Sequence, residues 1–171
     1  MLQQSLLPQL TVNSKQVLTQ LNSGQILKID SHCRGGLILC KRHHAEFAGP
    51  GAAVGGVCDV DCNRVIAIGN VTLIHPESFA ERQKAFTIRQ KWFRFTQKAM
   101  ETSVPLQRAY RILVMLEKYF GTEAINSIAD DILSQLIGVL PKTVNIARQY
   151  KAHQLHSEPS NIHSSQYVTV T

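Results

Sequence analysis

"DDILSQLIGVLPKTVNIARQ", residues 130–149, contains two short helical patterns that meet at Gly138. Glycine suits the sharp turn between two helices because a Cβ is penalised there. Pro141 fits the first position of the second helix, where its missing N–H would be unpaired anyway. Val144 and Ala147 fall on the inner side of that helix. The spacing predicts a helix-turn-helix, although a bent hairpin of two core helices would show the same pattern.

The outer side of the second helix carries the candidate contacts to double-stranded DNA. This predicted DNA-binding set consists of Lys142, Thr143, Asn145, Ile146, Arg148 and Gln149. Asparagine and glutamine can pair bidentately with adenine, and lysine can contact phosphates. We therefore interpret residues 141–150 as a candidate recognition helix.

Composition and charge are compatible with this interpretation. The 171 residues are 44% hydrophobic, enough for one ordinary domain or two small ones. The formal net charge is +6, and residues 82–98 contain six basic residues and no acidic one. These are Arg82, Lys84, Arg89, Lys91, Arg94 and Lys98. Such a stretch favours a polyanion through counterion release, while a solvated helix face is the simpler alternative.

The sequence shows no sign of a membrane-spanning or secretory segment. No apolar run reaches membrane-spanning length, and "MLQQSLLPQLTVNSKQ" lacks the basic start and cleavage site of a signal peptide. We expect a cytoplasmic protein without a membrane partner, whose four cysteines are free thiols.

The fold class that these patterns predict is α+β. The runs "QILKI", "GLILC" and "RVIAIGNVTLI" favour strands, with glycine-rich breaks such as "GPGAAVGG" between them. Helical periodicity follows, and Val104-Pro105 and Gly121 bound a further helix. "INSIADDILSQLIG" and "PKTVNIARQYKAH" complete the helices. The expected organisation is a reduced β-barrel-like, sensor-like region over residues 1–76, a linker helix over 77–103 and a winged helix-turn-helix over 104–171.

The linker helix carries two apolar stripes. Ile88, Trp92, Phe95 and Ala99 recur at helical spacing, and Phe86, Phe93 and Met100 form a second, heptad-like stripe. Two stripes on one helix indicate burial on two sides. The predicted dimerisation residues of a homodimer are Phe86, Trp92, Phe93 and Met100. At the C-terminus, the alternating residues 167–171 predict the strand of the wing.

Five segments follow one another in an informative order: "GPGAAVGG", "RVIAIGNVTLIHPESF", the helix around Trp92, "RAYRILVMLEKYF" and "ILSQLIGVLPKTV". Together they resemble the family of bacterial transcription regulators that includes the cyclic-AMP receptor protein and the fumarate-nitrate regulator. The resemblance covers roughly residues 47–171. It implies a β-barrel sensor, a dimerisation helix and a DNA-binding winged helix.

The sequence departs from that family where its members bind cyclic nucleotides. Those members place a glutamate after the glycine and an arginine before serine or threonine, whereas this chain has Gly55-Gly56 and Arg64-Val65. The carboxylates of Asp59 and Asp61 would also repel a phosphate. The resemblance therefore implies a regulator that binds no cyclic nucleotide.

Other kinds of function receive less support. Cys40, His43, Cys58 and Cys62 are an alternative ligand set for zinc or an iron–sulfur cluster, but their spacing is not that of a zinc ribbon. The sequence contains no Gly-x-Ser-x-Gly motif, no P-loop motif and no His-Glu-x-x-His motif. We therefore expect neither catalysis nor a cofactor. Two alternatives to a DNA-binding regulator stay open: a protein-interaction module that has lost sequence-specific DNA binding, and a thiol- or metal-linked sensor.

Overall fold

Along the described chain, one short helix is followed by six short strands and then by five helices. The computed structural model describes residues 14–157. The helices are Ser14–Asn22 (α1), Phe79–Met100 (α2), Pro105–Phe120 (α3), Thr122–Asn126 (α4), Asp130–Ile137 (α5) and Pro141–Ser157 (α6). The strands are Ile26–Ile29 (β1), Gly35–Cys40 (β2), Ala45–Ala48 (β3), Ala53–Gly55 (β4), Arg64–Gly69 (β5) and Leu73–Ile74 (β6). The predicted α+β class is confirmed.

The strands form two antiparallel sheets of three strands each. Their orders are β4-β1-β6 and β3-β2-β5. Both sheets are open, so the described residues contain no closed barrel, and the predicted barrel-like region is corrected to two small sheets. The edge strands β4 and β6 are only three and two residues long. They therefore offer few free backbone groups to which a further strand could pair.

Two strands and one helix were not predicted. "AEFA" forms β3, and β4 lies inside "GPGAAVGG", which was expected to be a break between strands. The backbone of β4 is held by β1, with Leu27 opposite Val54 and Lys28 opposite Ala53. At the N-terminal end of the described chain, α1 places Val17 and Leu21 in the core.

Strand β2 connects the two parts of the hydrophobic core. Leu37 and Leu39 belong to a cluster with residues of both sheets and α1, whereas Ile38 and Cys40 belong to a cluster with helices α2 to α6. All six residues of β2 are buried. Because side chains alternate between the two faces of a strand, burial on both faces means that the helices cover one side of the sheet.

The helices after α2 form one packed unit against this sheet. Ala109, Leu113 and Leu116 of α3 are buried. The single helix predicted from "INSIADDILSQLIG" is instead two helices, because α4 ends at Asn126 and α5 begins at Asp130. The predicted wing strand over residues 167–171 lies outside the described residues. Within residues 14–157, no helix is long and apolar enough to span a membrane.

The inner side of α6 provides a test of this packing. Val144 is fully buried in the same cluster as Leu133 and Ile137, so Val144→Asp should place a carboxylate where it has no partner. We expect the free energy of unfolding to fall by about 3 kcal/mol or more, measured by urea denaturation. Asn145→Asp adds the same charge at an exposed neighbouring position and should change stability little. Equal stability of the two variants would contradict this packing.

Candidate nucleic-acid interface and neighbouring sites

The turn between α5 and α6 has the geometry that the glycine and proline predict. Gly138 adopts the left-handed conformation, with φ 63° and ψ 48°. The N–H of Val139 donates to the carbonyl of Ser134 at 3.1 Å, which closes the end of α5. Helix α6 then begins at Pro141, as predicted. The two helices are therefore joined by a short, hydrogen-bonded turn.

The two sides of α6 differ as the sequence predicts. Val144 and Ala147 are fully buried. The side chains of Lys142, Asn145 and Gln149 are exposed. Gln149 Nε2 donates to Asn145 Oδ1 at 3.1 Å, so these two amides are held next to each other on the outer side. The core and the candidate DNA-reading side are thus separate surfaces of one helix.

The other predicted contact residues are placed differently. Ile146 is exposed, whereas Thr143 is half-buried. Arg148 turns toward its own chain, where its Nε donates to Asp130 Oδ1 at 2.8 Å and its Nη2 to the carbonyl of Ile128 at 2.7 Å. These bonds tie α6 to the start of α5. The guanidinium of Arg148 is therefore occupied within the chain, which differs from its predicted role in contacting DNA.

Helix α2 packs into the molecule partly along the first predicted stripe, because Ala99 is buried and Ile88, Trp92 and Phe95 pack against the hydrophobic core. Its buried residues are Ala85, Arg89, Thr96 and Ala99. Trp92 is half-buried, its ring centroid lies 5.4 Å from that of Phe47, and its Nε1 donates to the carbonyl of Pro50 at 3.2 Å. Trp92 therefore belongs to the core of its own chain, in contrast to its predicted place in a dimer interface.

A regular seam on α2 is nevertheless left partly exposed. Phe79, Phe86, Phe93 and Met100 recur every seven residues, and Gln83, Gln90 and Gln97 recur with them. We call this set the heptad seam. Phe79 is 70% exposed and Phe93 is 42% exposed, while Phe86 and Met100 are half-buried. Spacings of three and four residues between glutamine and the apolar residue place all seven side chains on one side of the helix.

Arg89 holds α2 against the strands through a buried ionic cluster. Its Nη1 and Nη2 donate to Oδ2 and Oδ1 of Asp59, each at 3.1 Å. Nη2 also donates to Glu46 at 2.7 Å, and Nη1 to the carbonyl of Ala53 at 2.9 Å. Arg89 is 8% exposed. The prediction that the whole basic stretch is available to a polyanion is therefore wrong for Arg89.

Asp59 lies where the resemblance implies a ligand-binding segment. It follows a single 3-10 turn, Gly56–Cys58, and is fully buried. Its Oδ2 accepts a hydrogen bond from the N–H of Gly55 at 2.7 Å. Gly55 has φ 91°, and a Cβ there would lie 1.9 Å from the carbonyl oxygen of Gln25, so only glycine fits. The N–H of Gly55 and the guanidinium of Arg89 thus both donate to the carboxylate of Asp59.

The charges of this cluster shift the pKa values of its members. Burial alone would raise the pKa of Glu46, but Arg89 and Lys41 lower it from 4.5 to about 2. Lys41 Nζ lies 3.1 Å from Glu46 and 3.6 Å from Asp59. Burial opposes the charge of Lys41, and these carboxylates nevertheless raise the pKa of Lys41. Glu46 and Lys41 are therefore both charged at neutral pH.

Arg64, which the resemblance aligns with a phosphate-binding arginine, points elsewhere. Its guanidinium is half exposed and lies 3.6 Å from Asp131 at the start of α5. It does not share in the cluster of Arg89 and Asp59. The absence of cyclic-nucleotide binding stays a prediction. It is supported by the carboxylate of Asp59, which occupies the position beside Gly55.

The cysteines are not arranged as a metal site. Among residues 14–157, no three His, Cys, Asp or Glu side chains could hold a metal ion together. Cys40 and Cys62 are buried, whereas Cys58 is exposed. Burial raises the pKa of Cys62 to about 11 and also raises the pKa of Cys40. Protonated thiols are poor ligands and poor nucleophiles, so the structure lends the alternative set of Cys40, His43, Cys58 and Cys62 no support.

No protein-family model matches the sequence, and no curated protein sequence is significantly similar to it. The resemblance to bacterial transcription regulators therefore rests on the segments of this chain alone.

The ionic cluster predicts how stability depends on pH. Because the pKa of Glu46 is lower in the folded chain, the Glu46 carboxylate stabilises the fold above about pH 4.5, and this contribution is lost as the pH falls toward 2. Glu46→Gln should be less stable than the wild type at pH 7 and lose less stability between pH 5 and pH 3, measured by urea unfolding. Glu77→Gln, at an exposed position, should keep the wild-type pH dependence. Parallel pH curves for Glu46→Gln and wild type would contradict the assignment.

Proposed function

We propose that this protein is a DNA-binding transcription regulator that acts as a dimer, without cyclic-nucleotide binding. The observation that carries the proposal is the pair α5 and α6, joined at Gly138, with one polar side of α6 left uncovered. In a helix-turn-helix, the second helix enters the major groove and its N-terminal residues contact base edges. Lys142 and Asn145 lie in the first two turns of α6, and Gln149 follows about one turn later.

The exposed side chains of α6 have suitable chemistry for reading DNA. The bond from Gln149 to Asn145 leaves Gln149 Oε1 to accept and Asn145 Nδ2 to donate. Adenine presents one donor and one acceptor in the major groove, so this amide pair can bind one adenine edge. Lys142 adds a phosphate contact, and Ile146 offers an apolar contact to a thymine methyl group.

The heptad seam supports a symmetric dimer. Apolar residues at every seventh position form one of the two core rows of a two-stranded coiled coil, and glutamine occupies the other row at all three positions. A polar residue at a core position favours one register at a cost in stability. Seven residues rise about 10.5 Å along a helix, so four repeats of the apolar position extend over the length of α2. A two-fold dimer would present two α6 helices to two half-sites about one helical turn apart.

A second candidate function is a protein-interaction module with the same architecture. Leu140 is 72% exposed and Tyr150 is 53% exposed, and both lie close to the ends of the polar side of α6. Exposed apolar side chains can bury surface against a protein partner, whereas they make no hydrogen bond to DNA phosphates. The two functions differ in salt dependence, because phosphate contacts release counterions.

DNA binding is tested by a salt titration with a pool of random duplex DNA. Wild-type affinity should fall steeply with salt, and the triple variant Lys142→Ala, Asn145→Ala, Gln149→Ala should bind more weakly at every salt concentration. Lys142→Ala alone should cost about 1 kcal/mol of binding free energy and flatten the salt dependence slightly. The melting temperature of each variant should stay near that of the wild type, since all three side chains are exposed.

Lys118→Ala is the matched control, because it removes one exposed lysine from the end of α3. It should keep wild-type affinity. If the triple variant binds DNA as tightly as the wild type, α6 is not the DNA-reading helix. If no salt-dependent binding is seen at all, the protein-interaction module becomes the better description.

Dimerisation is tested by sedimentation at micromolar concentration. The wild type should sediment as a dimer and Phe93→Glu as a monomer, because a two-fold seam would bring two carboxylates together without partners. Phe93 is 42% exposed within one chain, so the variant should still fold. Lys84→Glu makes a charge change on another side of α2 and should leave the dimer intact. A monomeric wild type would contradict the proposed assembly.

A further inference from the structure

Helix α2 has a third side, away from the heptad seam, whose apolar residues pack against the edge of the hydrophobic core. Lys84, Lys91 and Lys98 recur there every seven residues, with Ile88 and Phe95 between them. Successive members of this lysine row are about 10.5 Å apart along the helix. All three lysines are exposed, and Ile88 and Phe95 are half-buried. This side of α2 is therefore both basic and partly apolar.

A groove of about 530 Å³ opens on this side. We call it the aromatic groove; the residues that give it its chemistry are Lys91, Trp92, Arg94, Phe95, Lys98 and Tyr119. Pro50 and Ile88 complete its lining. Sites for small molecules usually have volumes of this order and combine apolar surface with a few polar groups.

The aromatic groove carries positive charge that the chain does not neutralise. Lys91, Arg94 and Lys98 are all exposed, and none of them forms an ion pair with another residue between 14 and 157. No acidic side chain lines the groove along the stretch that the structure describes. Three cations on one open groove favour an anionic occupant.

Three aromatic rings give the groove its apolar surface. The ring centroids of Trp92, Phe95 and Tyr119 lie 5.2 to 5.4 Å from one another, in edge-to-face contacts. Tyr119 is 56% exposed, and Trp92 and Phe95 are half-buried. A planar ring can extend this cluster by stacking or edge contacts, whereas a bare inorganic anion cannot use it.

We propose that the aromatic groove binds a small anionic ligand that carries an aromatic ring. The anion contacts Lys91, Arg94 and Lys98, while the ring packs beside Trp92, Phe95 and Tyr119. This site is on a different side of α2 from the heptad seam, and it does not depend on DNA binding by α6. It is also separate from the cluster of Arg89 and Asp59, which the chain itself fills.

The chain contains a single tryptophan, so Trp92 reports on this groove directly. The experiment titrates phenyl phosphate, phenol and inorganic phosphate into the full chain and follows tryptophan fluorescence. Phenyl phosphate should produce a saturable change, and phenol and inorganic phosphate should each bind at least about tenfold more weakly, because each lacks one half of the recognition.

The variant pair keeps the test independent of folding. Lys91→Gln combined with Lys98→Gln should weaken phenyl phosphate binding by about tenfold or more. Lys84→Gln removes a lysine from the same row but lies outside the groove, so it should bind as the wild type does. Both variants change only exposed side chains and should unfold at the wild-type temperature.

Three outcomes would overturn the proposal. The first is no saturable change with phenyl phosphate. The second is equal binding of inorganic phosphate and phenyl phosphate, which would show attraction of charge without recognition of a ring. The third is displacement of phenyl phosphate by single-stranded oligonucleotides whose affinity rises with length, which would make the groove part of a nucleic-acid path. DNA binding by α6, measured separately, would be unaffected by any of them.

Discussion

The hydrogen-bonded ion pair between Arg89 and Asp59 fixes the relation between the helices and the sheets. Burying a guanidinium is costly, and the cost is offset here because Asp59, Glu46 and the Ala53 carbonyl satisfy its donors together. These acceptors come from β3, β4 and the segment after the 3-10 turn. Helix α2 therefore cannot slide or rotate on the strands without leaving buried charges unpaired.

This constraint determines what the remaining surface of α2 can do. With Ala85, Arg89, Thr96 and Ala99 turned inward, the heptad seam and the lysine row must lie on the other two sides. One helix thus packs into its own chain, leaves the heptad seam partly exposed and lines the aromatic groove. The heptad seam and the aromatic groove are compatible because they share no residue.

Local signals predicted part of this arrangement. Helices α3 and α6 were predicted because their periodicity is clear and because Pro105, Gly121 and Pro141 mark their ends. Strands β3 and β4 were missed, since three or four residues rich in alanine and glycine carry little β preference of their own. They are strands because β2 and β1 hold their backbones. The burial of Arg89 has a similar cause, because its main partner lies 30 residues away in the sequence and no local pattern reveals it.

Residues 130–149 show that buried packing identifies a helix but does not identify its function. Buried Val144 and Ala147 are required both by a core hairpin and by a helix-turn-helix, so they identify the helix without identifying its use. The distinction lies on the outer side, where Lys142 is exposed and Asn145 and Gln149 hold each other in place. An ordered pair of amides loses less conformational freedom on binding than two independent side chains do. For that reason the proposed DNA binding depends on the polar side of α6 and not on its core side.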